Sequence, residues 1–337
     1  MMEKKRRNKH IDYLRGVAIL FVVLGHTMTG TIQNAEKSLL FNCIWSVQMP
    51  LFFIISGYVT RYSAPILCID DLKKYLKKRT LAYLLPWFSW TIIVRGLIFQ
   101  QKNFLNLSYL LWNMDAGYWF LFTLWLISVI YGITSLLQNK KSTSLRIFRL
   151  IICYFIGMCV LAFIGKVTDL SFLCIKLALY YMPFYLAGCM FGQLQDKILR
   201  MCDENKISII VAISSIVWVF MLKRYNFYDI SDNIFGISIR VITSVLGCIA
   251  ICGLSKGIEN LRRYKFLQWF GLHSLEIYCS HYLFLNIIKI NKMQLITNMG
   301  GFTGVLMNYI ITLIFVTLFV KVIHNNKVLK MLLFAKK

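Results

Sequence analysis

A carboxylate, a guanidinium and an imidazole recur in this chain at a spacing that a helix would turn into one stripe. Asp12-Tyr13-Leu14-Arg15-Gly16 is followed, eleven positions after the arginine, by His26 inside an apolar run. At about 100° per residue, eleven residues return to within about 20° of the starting face. At about 1.5 Å of rise per residue they set Arg15 and His26 about 16 Å apart, with Asp12 within about 40° of the same line. An imidazole takes and returns a proton near neutral pH, and a guanidinium offers a fork matched to phosphate or carboxylate. Such groups are costly inside a membrane span, so each is a functional candidate by default.

The elements that must position them are spans. Of 337 residues 58% are hydrophobic, only 15% are charged, Pro occurs 4 times, and mean hydropathy is +0.64. A soluble domain of this size needs more polar surface, and a lipid-facing backbone must satisfy its own hydrogen bonds. The apolar runs approach 20 residues without strict alternation, which selects helices over a barrel. The expected fold is therefore all-α and polytopic, with about ten spans near 11–29, 41–60, 81–100, 117–138, 147–165, 172–192, 207–222, 234–254, 268–288 and 303–323. The domain plan is a basic N-terminus over 1–10, one transmembrane domain over 11–324 and a short basic tail over 325–337.

The formal net charge of +24 is a topology signal rather than a nucleic-acid footprint. With the N-terminus inside, about 27 of the 38 lysines and arginines fall on alternate, cytoplasmic segments. Both termini are then cytoplasmic. The ten cysteines are scattered without a CxxC pair, so neither zinc nor any other metal is expected. The basic start followed by an apolar run mimics a signal peptide, but Arg15 and His26 inside it favour a retained first span. No linker, repeat or low-complexity tract interrupts the chain. The segment Asp70-Asp71-Leu72-Lys73-Lys74-Tyr75-Leu76-Lys77-Lys78-Arg79 is basic and amphipathic, suited to the membrane surface or to a phosphate-bearing ligand.

Further motifs accompany the first. Span two reads Gln48-Met49-Pro50-Leu51-Phe52-Phe53 and ends Ser56-Gly57-Tyr58. Lys77-Lys78-Arg79 precedes Pro86-Trp87, span four opens on Tyr118-Trp119, and span six carries Met182-Pro183-Phe184. Span nine reads Gly271-Leu272-His273-Ser274-Leu275-Glu276 and closes with His281. In this order the set resembles the acyltransferase 3 family of integral-membrane O-acyltransferases, and within it the fucose 4-O-acetylase-like branch. The resemblance runs from Ile11 to about the tenth span.

That resemblance implies transfer of an acetyl or other acyl group from cytoplasmic acetyl-CoA to a sugar hydroxyl of a surface polysaccharide or its lipid-linked precursor. It implies a multi-pass protein of the bacterial plasma membrane, with the glycan acceptor and membrane lipids as partners. Some relatives carry an extracytoplasmic domain that completes transfer; here either the membrane domain transfers directly, the preferred reading, or it hands the acyl group to a separate extracytoplasmic protein as a further partner. The family's essential arginine and histidine map to Arg15 and His26. Residue chemistry agrees: O-acylation needs a base on the attacking hydroxyl, and the separation of Arg15 from His26 is comparable to the reach of a pantetheine arm.

Several assignments stay open between two readings. Asp12 either orients Arg15 or caps the first helix. Lys78 and Arg79 either contact donor phosphate or report topology. Ser56 either acts on substrate or belongs to a close-packed small-residue contact. Tyr118 and Trp119 form either an acceptor platform or an interfacial belt. Glu276 and His281 are expected to face the bundle interior as supporting or substrate-contacting groups. Gln48 departs from the branch, which commonly places histidine there, and Tyr83 stands where relatives often keep another basic residue. A glutamine can hydrogen-bond but cannot act as a general base. The rival of another class is a glycan or lipid transporter, whose inverted repeats and matched broken helices are not evident. An inactive sensor on the same scaffold is a third reading, which Gln48 keeps open.

Overall fold

The computed structural model describes residues 8–98, 100, 106–114, 117–137, 143–256, 263–285 and 301–336, and among them only helices and turns occur. The helices are α1 Lys9–Thr31, α2 Leu39–Tyr58, α3 Ile69–Thr91, α4 Leu107–Trp112, α5 Trp119–Leu136, α6 Thr143–Thr168 and α7 Ile175–Met201. They continue as α8 Glu204–Arg224, α9 Ile234–Lys256, α10 Arg263–Leu272, α11 Ser274–Ser280, α12 Gly301–His324 and α13 Lys327–Phe334. Among the described residues, eight helices are long and apolar enough to cross a membrane, and they correspond to eight of the ten expected spans.

The remaining two spans are built differently. The third is the far part of α3, which starts at Ile69 and runs on as a π-helix over Ile92–Ile98. The basic segment 70–79 is thus the opening of a long helix and not a separate surface element; its Asp and Lys residues lower the mean hydropathy of the whole. The ninth is broken: His273, at φ −106° and ψ 17°, separates α10 from α11, and the chain tightens into a 3₁₀ turn over His281–Leu283. The rest of that expected span lies outside the described residues.

The chain divides into two compact units. The first holds Met1–Ile55 and Lys197–Lys321; the second holds Ser56–Asp196 and Val322–Lys337. In the first unit α1 starts at Asn8, whose side chain accepts from His10 N–H at 3.0 Å. It crosses α10 at backbone distance. A Cβ on Gly16 would stand 2.0 Å from the Leu267 carbonyl oxygen, and one on Gly271 1.6 Å from that of Asp12. Only glycine at both positions allows that approach. α12 braces α1 from another side: Asn308 donates to Thr31 Oγ1 at 3.2 Å and the Tyr309 hydroxyl to the Leu20 carbonyl at 3.3 Å. α8 packs on α9 through Gly247 and Gly253, which receive Trp218 and Val211. Most of the apolar surface of α8 stays exposed, with Ile216 at 70%, as expected of a helix face turned to lipid.

In the second unit α3 lies along α5. Tyr75 and Leu72 pack on Gly132, and Trp125 Nε1 donates to Thr80 Oγ1 at 3.0 Å. Met114, Phe122 and Cys174 form a buried cluster, with Trp87, Trp119 and Trp125 packed around it. The segment expected as a simple tail is folded. α13 docks on α3, with Ser89 Oγ donating to the Leu332 carbonyl at 2.8 Å and Trp90 Nε1 to that of Leu333 at 3.0 Å. Phe334 is buried against the Trp90 ring. α13 is amphipathic, and its apolar residues are what a helix needs to bind a partner helix.

Candidate functional site

The first unit gathers imidazoles, an amide and a carboxylate in its interior. Along α1, Asp12 is buried and its Oδ1 lies 4.0 Å from Arg15 Nη1. Because Asn8 caps the helix, Asp12 is released from that task and faces the guanidinium. Near the other end of α1, His26 is half-buried. Its Nε2 stands 3.2 Å from the Tyr282 hydroxyl, and the two ring centroids are 5.0 Å apart. The His281 ring lies 5.3 Å from that of His26, and Trp45 meets His26 edge-on at 6.4 Å.

His281 is fully buried, and its backbone contacts fix its tautomer. Nδ1 lies 2.7 Å from the Tyr278 carbonyl and 3.1 Å from that of Ile277. Carbonyl oxygens only accept, so Nδ1 carries the proton and Nε2 presents a lone pair. That Nε2 has no hydrogen-bond partner among the described residues. Gln48 reaches the same neighbourhood from α2: its Oε1 would lie 3.2 Å from a Cβ on Gly25, the residue before His26. Gln48 is buried, and this oxygen too lacks a partner among the described residues. Glu276 is fully buried in the first turn of α11, where its carbonyl accepts from Ser280 Oγ at 2.7 Å. The open His281 Nε2 beside the half-buried His26 imidazole forms a site able to receive a donor group such as a hydroxyl, and Gln48 Oε1 offers a further buried acceptor at Gly25 on the same helix.

The other expected residues belong to the second unit. Arg79 is enclosed by tyrosines: Nη1 donates to the Tyr83 hydroxyl at 3.0 Å, and Cζ lies 5.1 Å from the Tyr75 ring centre and 5.9 Å from that of Tyr83. Tyr83 therefore meets Arg79 as a hydroxyl and a ring face where a second cation would repel it. Lys78, about 100° around the helix, is exposed. Beside the start of α3, Asp71 accepts from the Cys68 thiol at 3.3 Å and the Leu67 N–H at 3.2 Å; these contacts, the thiol first, hold its carboxyl below the usual range. Ser56 is half-buried beside Gly57, where a Cβ would stand 2.0 Å from the Tyr185 carbonyl oxygen. Tyr118 is buried beside Trp90, and Trp119 is stacked on Tyr181 at 5.3 Å. Protein already covers these two rings.

Reasoning from sequence missed Tyr282 and Trp45. Each stands close to a residue that was singled out, Tyr282 directly after His281 and Trp45 three before Gln48. That proximity is the only sequence signal for them. Among the described residues no group of three His, Cys, Asp or Glu side chains could hold a metal ion.

Comparison with known proteins decides the family. Residues 8–324 match the family described as an acyltransferase domain, of the acyltransferase 3 type. The chain belongs to this family. Similar curated relatives are the nodulation protein NolL of Sinorhizobium fredii (strain NBRC 101917 / NGR234), 25% identical over 202 residues, and that of Mesorhizobium japonicum (strain LMG 29417 / CECT 9101 / MAFF 303099), 24% identical over 196. The matches cover 56% of this chain and 49% and 48% of the relatives. The chain thus spans about half the length of the curated relatives it matches. No solved structure matches.

Proposed function

We propose that this family member moves an acyl group, acetyl in the simplest case, from cytoplasmic acetyl-CoA to a sugar hydroxyl. The acceptor is a surface polysaccharide or its lipid-linked precursor at the bacterial plasma membrane. The observation that carries the reading is the pairing of His26 with the Tyr282 hydroxyl and with His281, whose Nε2 is left to accept. It stands on the same helix as an arginine already faced by a carboxylate.

The roles follow from the chemistry. The Arg15 guanidinium holds a donor phosphate, with Asp12 setting its direction. The His26 imidazole takes the proton of the sugar hydroxyl as its oxygen attacks the thioester carbonyl. The new C–O bond forms, the C–S bond breaks, and the proton passes to the departing thiolate to give free coenzyme A. The Tyr282 hydroxyl fixes the imidazole plane. His281 Nε2 and Gln48 Oε1 accept hydrogen bonds from the sugar, a task that needs no titratable group at position 48. Glu276 supports this wall. On the second unit the exposed Lys78 is open to phosphate, whereas Arg79 is engaged by its tyrosines.

The test is the O-acetyl content of the cell-surface glycan by NMR, in a deletion strain complemented with wild type or His26→Ala. Loss of acetyl signals on deletion, restored by wild type and not by His26→Ala, is the expected result; removing such a base lowers rates by about 10²–10⁴-fold. Unchanged acetylation with less glycan at the surface would instead establish the transporter reading.

A further inference from the structure

The second unit contains a cavity of about 660 Å³ that no role above uses. Its wall is assembled from the chain just after α2, the first turns of α3, the last turns of α5 and α7, and the start of α6. Thr60, Arg61, Ser63, Gln193 and Asp196 lie on it with Tyr75, Tyr131, Ser135 and Arg146, and the apolar side is Ala64–Leu67. The size suits an organic ligand of nucleotide scale.

Two features of the lining specify the chemistry of that ligand. The first is unmet hydrogen bonding: Gln193 Oε1 is buried, with no hydrogen-bond partner among the described residues, and the Tyr75 and Ser135 hydroxyls stand on the same wall. The second is cationic character. Arg61 is held 3.5 Å from Asp196, a carboxylate that is 73% exposed, and by the Gln195 amide oxygen. An exposed ion pair of this kind is weak, so a phosphate can take the carboxylate's place on the guanidinium. Arg146 is exposed on the same wall, and Arg79 lies over the Tyr75 ring. Two arginines against one carboxylate, with neutral donors and aromatic faces between them, select an anion attached to an organic body.

We propose that this cavity binds a phosphate-bearing organic ligand, with Arg61 and Arg146 on the phosphate and Tyr75, Ser135 and Gln193 on the body. A soluble nucleotide such as the head of coenzyme A and an anionic lipid headgroup share that chemistry. The proposal draws on the acyl-transfer reading only for its choice of soluble probe.

The experiment uses the full chain in nanodiscs of phosphatidylcholine, with and without added phosphatidylglycerol. Binding of free coenzyme A is measured by calorimetry, and lipid dependence by thermal melting, for wild type, Arg146→Gln and Ala64→Trp. Ala64→Trp fills the cavity from its exposed rim and leaves every charge in place, so it serves if an arginine variant folds poorly. A soluble ligand gives coenzyme A binding that both variants weaken by about tenfold or more. A lipid ligand gives no such binding, but a phosphatidylglycerol-dependent rise in melting temperature that both variants abolish. If neither probe responds to either variant, the assignment is overturned. Loss of acetylation in His26→Ala, beside coenzyme A binding and a phosphatidylglycerol response that are both unchanged in Arg146→Gln and Ala64→Trp, would remove the cavity proposal and leave the catalytic one standing.

Discussion

The two units of this chain set the polar groups of their candidate sites in different surroundings. The first buries them: His281 and Glu276 are fully buried, and Gln48 is 2% exposed, all inside an apolar helical unit. Short-range partners fix some of these groups, as Asp12 does for Arg15 and two carbonyls do for His281 Nδ1, and leave His281 Nε2 and Gln48 Oε1 to accept from a ligand. The second unit holds its polar groups around an open cavity and softens its cations with tyrosine rings, as at Arg61 and Arg79. Acceptors fixed in a dry interior suit a bond-making step, because they need not reorganise during reaction. Cations among aromatic rings beside an open cavity suit the holding of an anion.

The largest effect that could break this comparison concerns backbone contact. Gly271→Val would drive a Cβ into the Asp12 carbonyl, where the approach is 1.6 Å and neither backbone can turn aside. A loss of about 3 kcal/mol and little folded protein are expected, read by thermal melting in detergent. In the second unit Gly132→Ala meets only the Tyr75 ring at 3.0 Å and the Leu72 side chain at 3.1 Å. Those side chains can shift, so the same assay should show a change under about 1 kcal/mol. Equal damage from both would erase the distinction between a backbone contact and a side-chain contact, of which the second unit also holds a backbone example at Gly57.

Next in size is the hydroxyl on His26. Tyr282→Phe keeps the ring and removes one hydrogen bond at 3.2 Å, which corresponds to about tenfold in acyl transfer if that bond sets the imidazole plane. The melting temperature should stay within a few degrees of wild type. A variant as active as wild type would leave His26 oriented by Trp45 and His281 alone.

How much of this was legible beforehand depends on the distance over which each feature is decided. Eight spans were readable because length and hydropathy are local properties. α3 was not readable as one helix, because Asp70, Asp71 and four lysines before Arg79 mask a span by composition while leaving its helicity intact. The break at His273 has no proline to announce it. In the site, the alignment of Asp12 with Arg15 followed from helical period and is met by their 4.0 Å approach. Tyr282 beside His26 is a contact across 256 positions, which no periodicity encodes. Gly16 and Gly271 were visible as motif letters, but their meaning lies in each other.

A smaller effect tests the softened cations of the second unit. Arg79→Lys keeps the charge but loses the planar stack on Tyr75 and Tyr83 and the directed bond to the Tyr83 hydroxyl. About 1 kcal/mol of stability should go with them, seen as a lower melting temperature. Were lysine to serve equally, charge alone would account for the cluster and the tyrosines would be ordinary packing.

The smallest effect separates docking from mere proximity at the end of the chain. Trp90→Phe retains an aromatic ring beside Phe334 but removes the Nε1 donor that the Leu333 carbonyl accepts at 3.0 Å. The neighbouring bond from Ser89 to Leu332 remains, so α13 should loosen by about 1 kcal/mol without leaving α3. Limited proteolysis reads this directly, because opening of a short terminal helix frees the backbone at Lys327 and Lys330 for cleavage by trypsin. Cleavage there should quicken about fivefold in the variant while cleavage elsewhere in the second unit keeps its rate. If the whole unit became labile, α13 would be part of its core. If nothing changed, the apolar face of α13 alone would hold it, and the hydrogen bonds to α3 would contribute geometry without measurable stability.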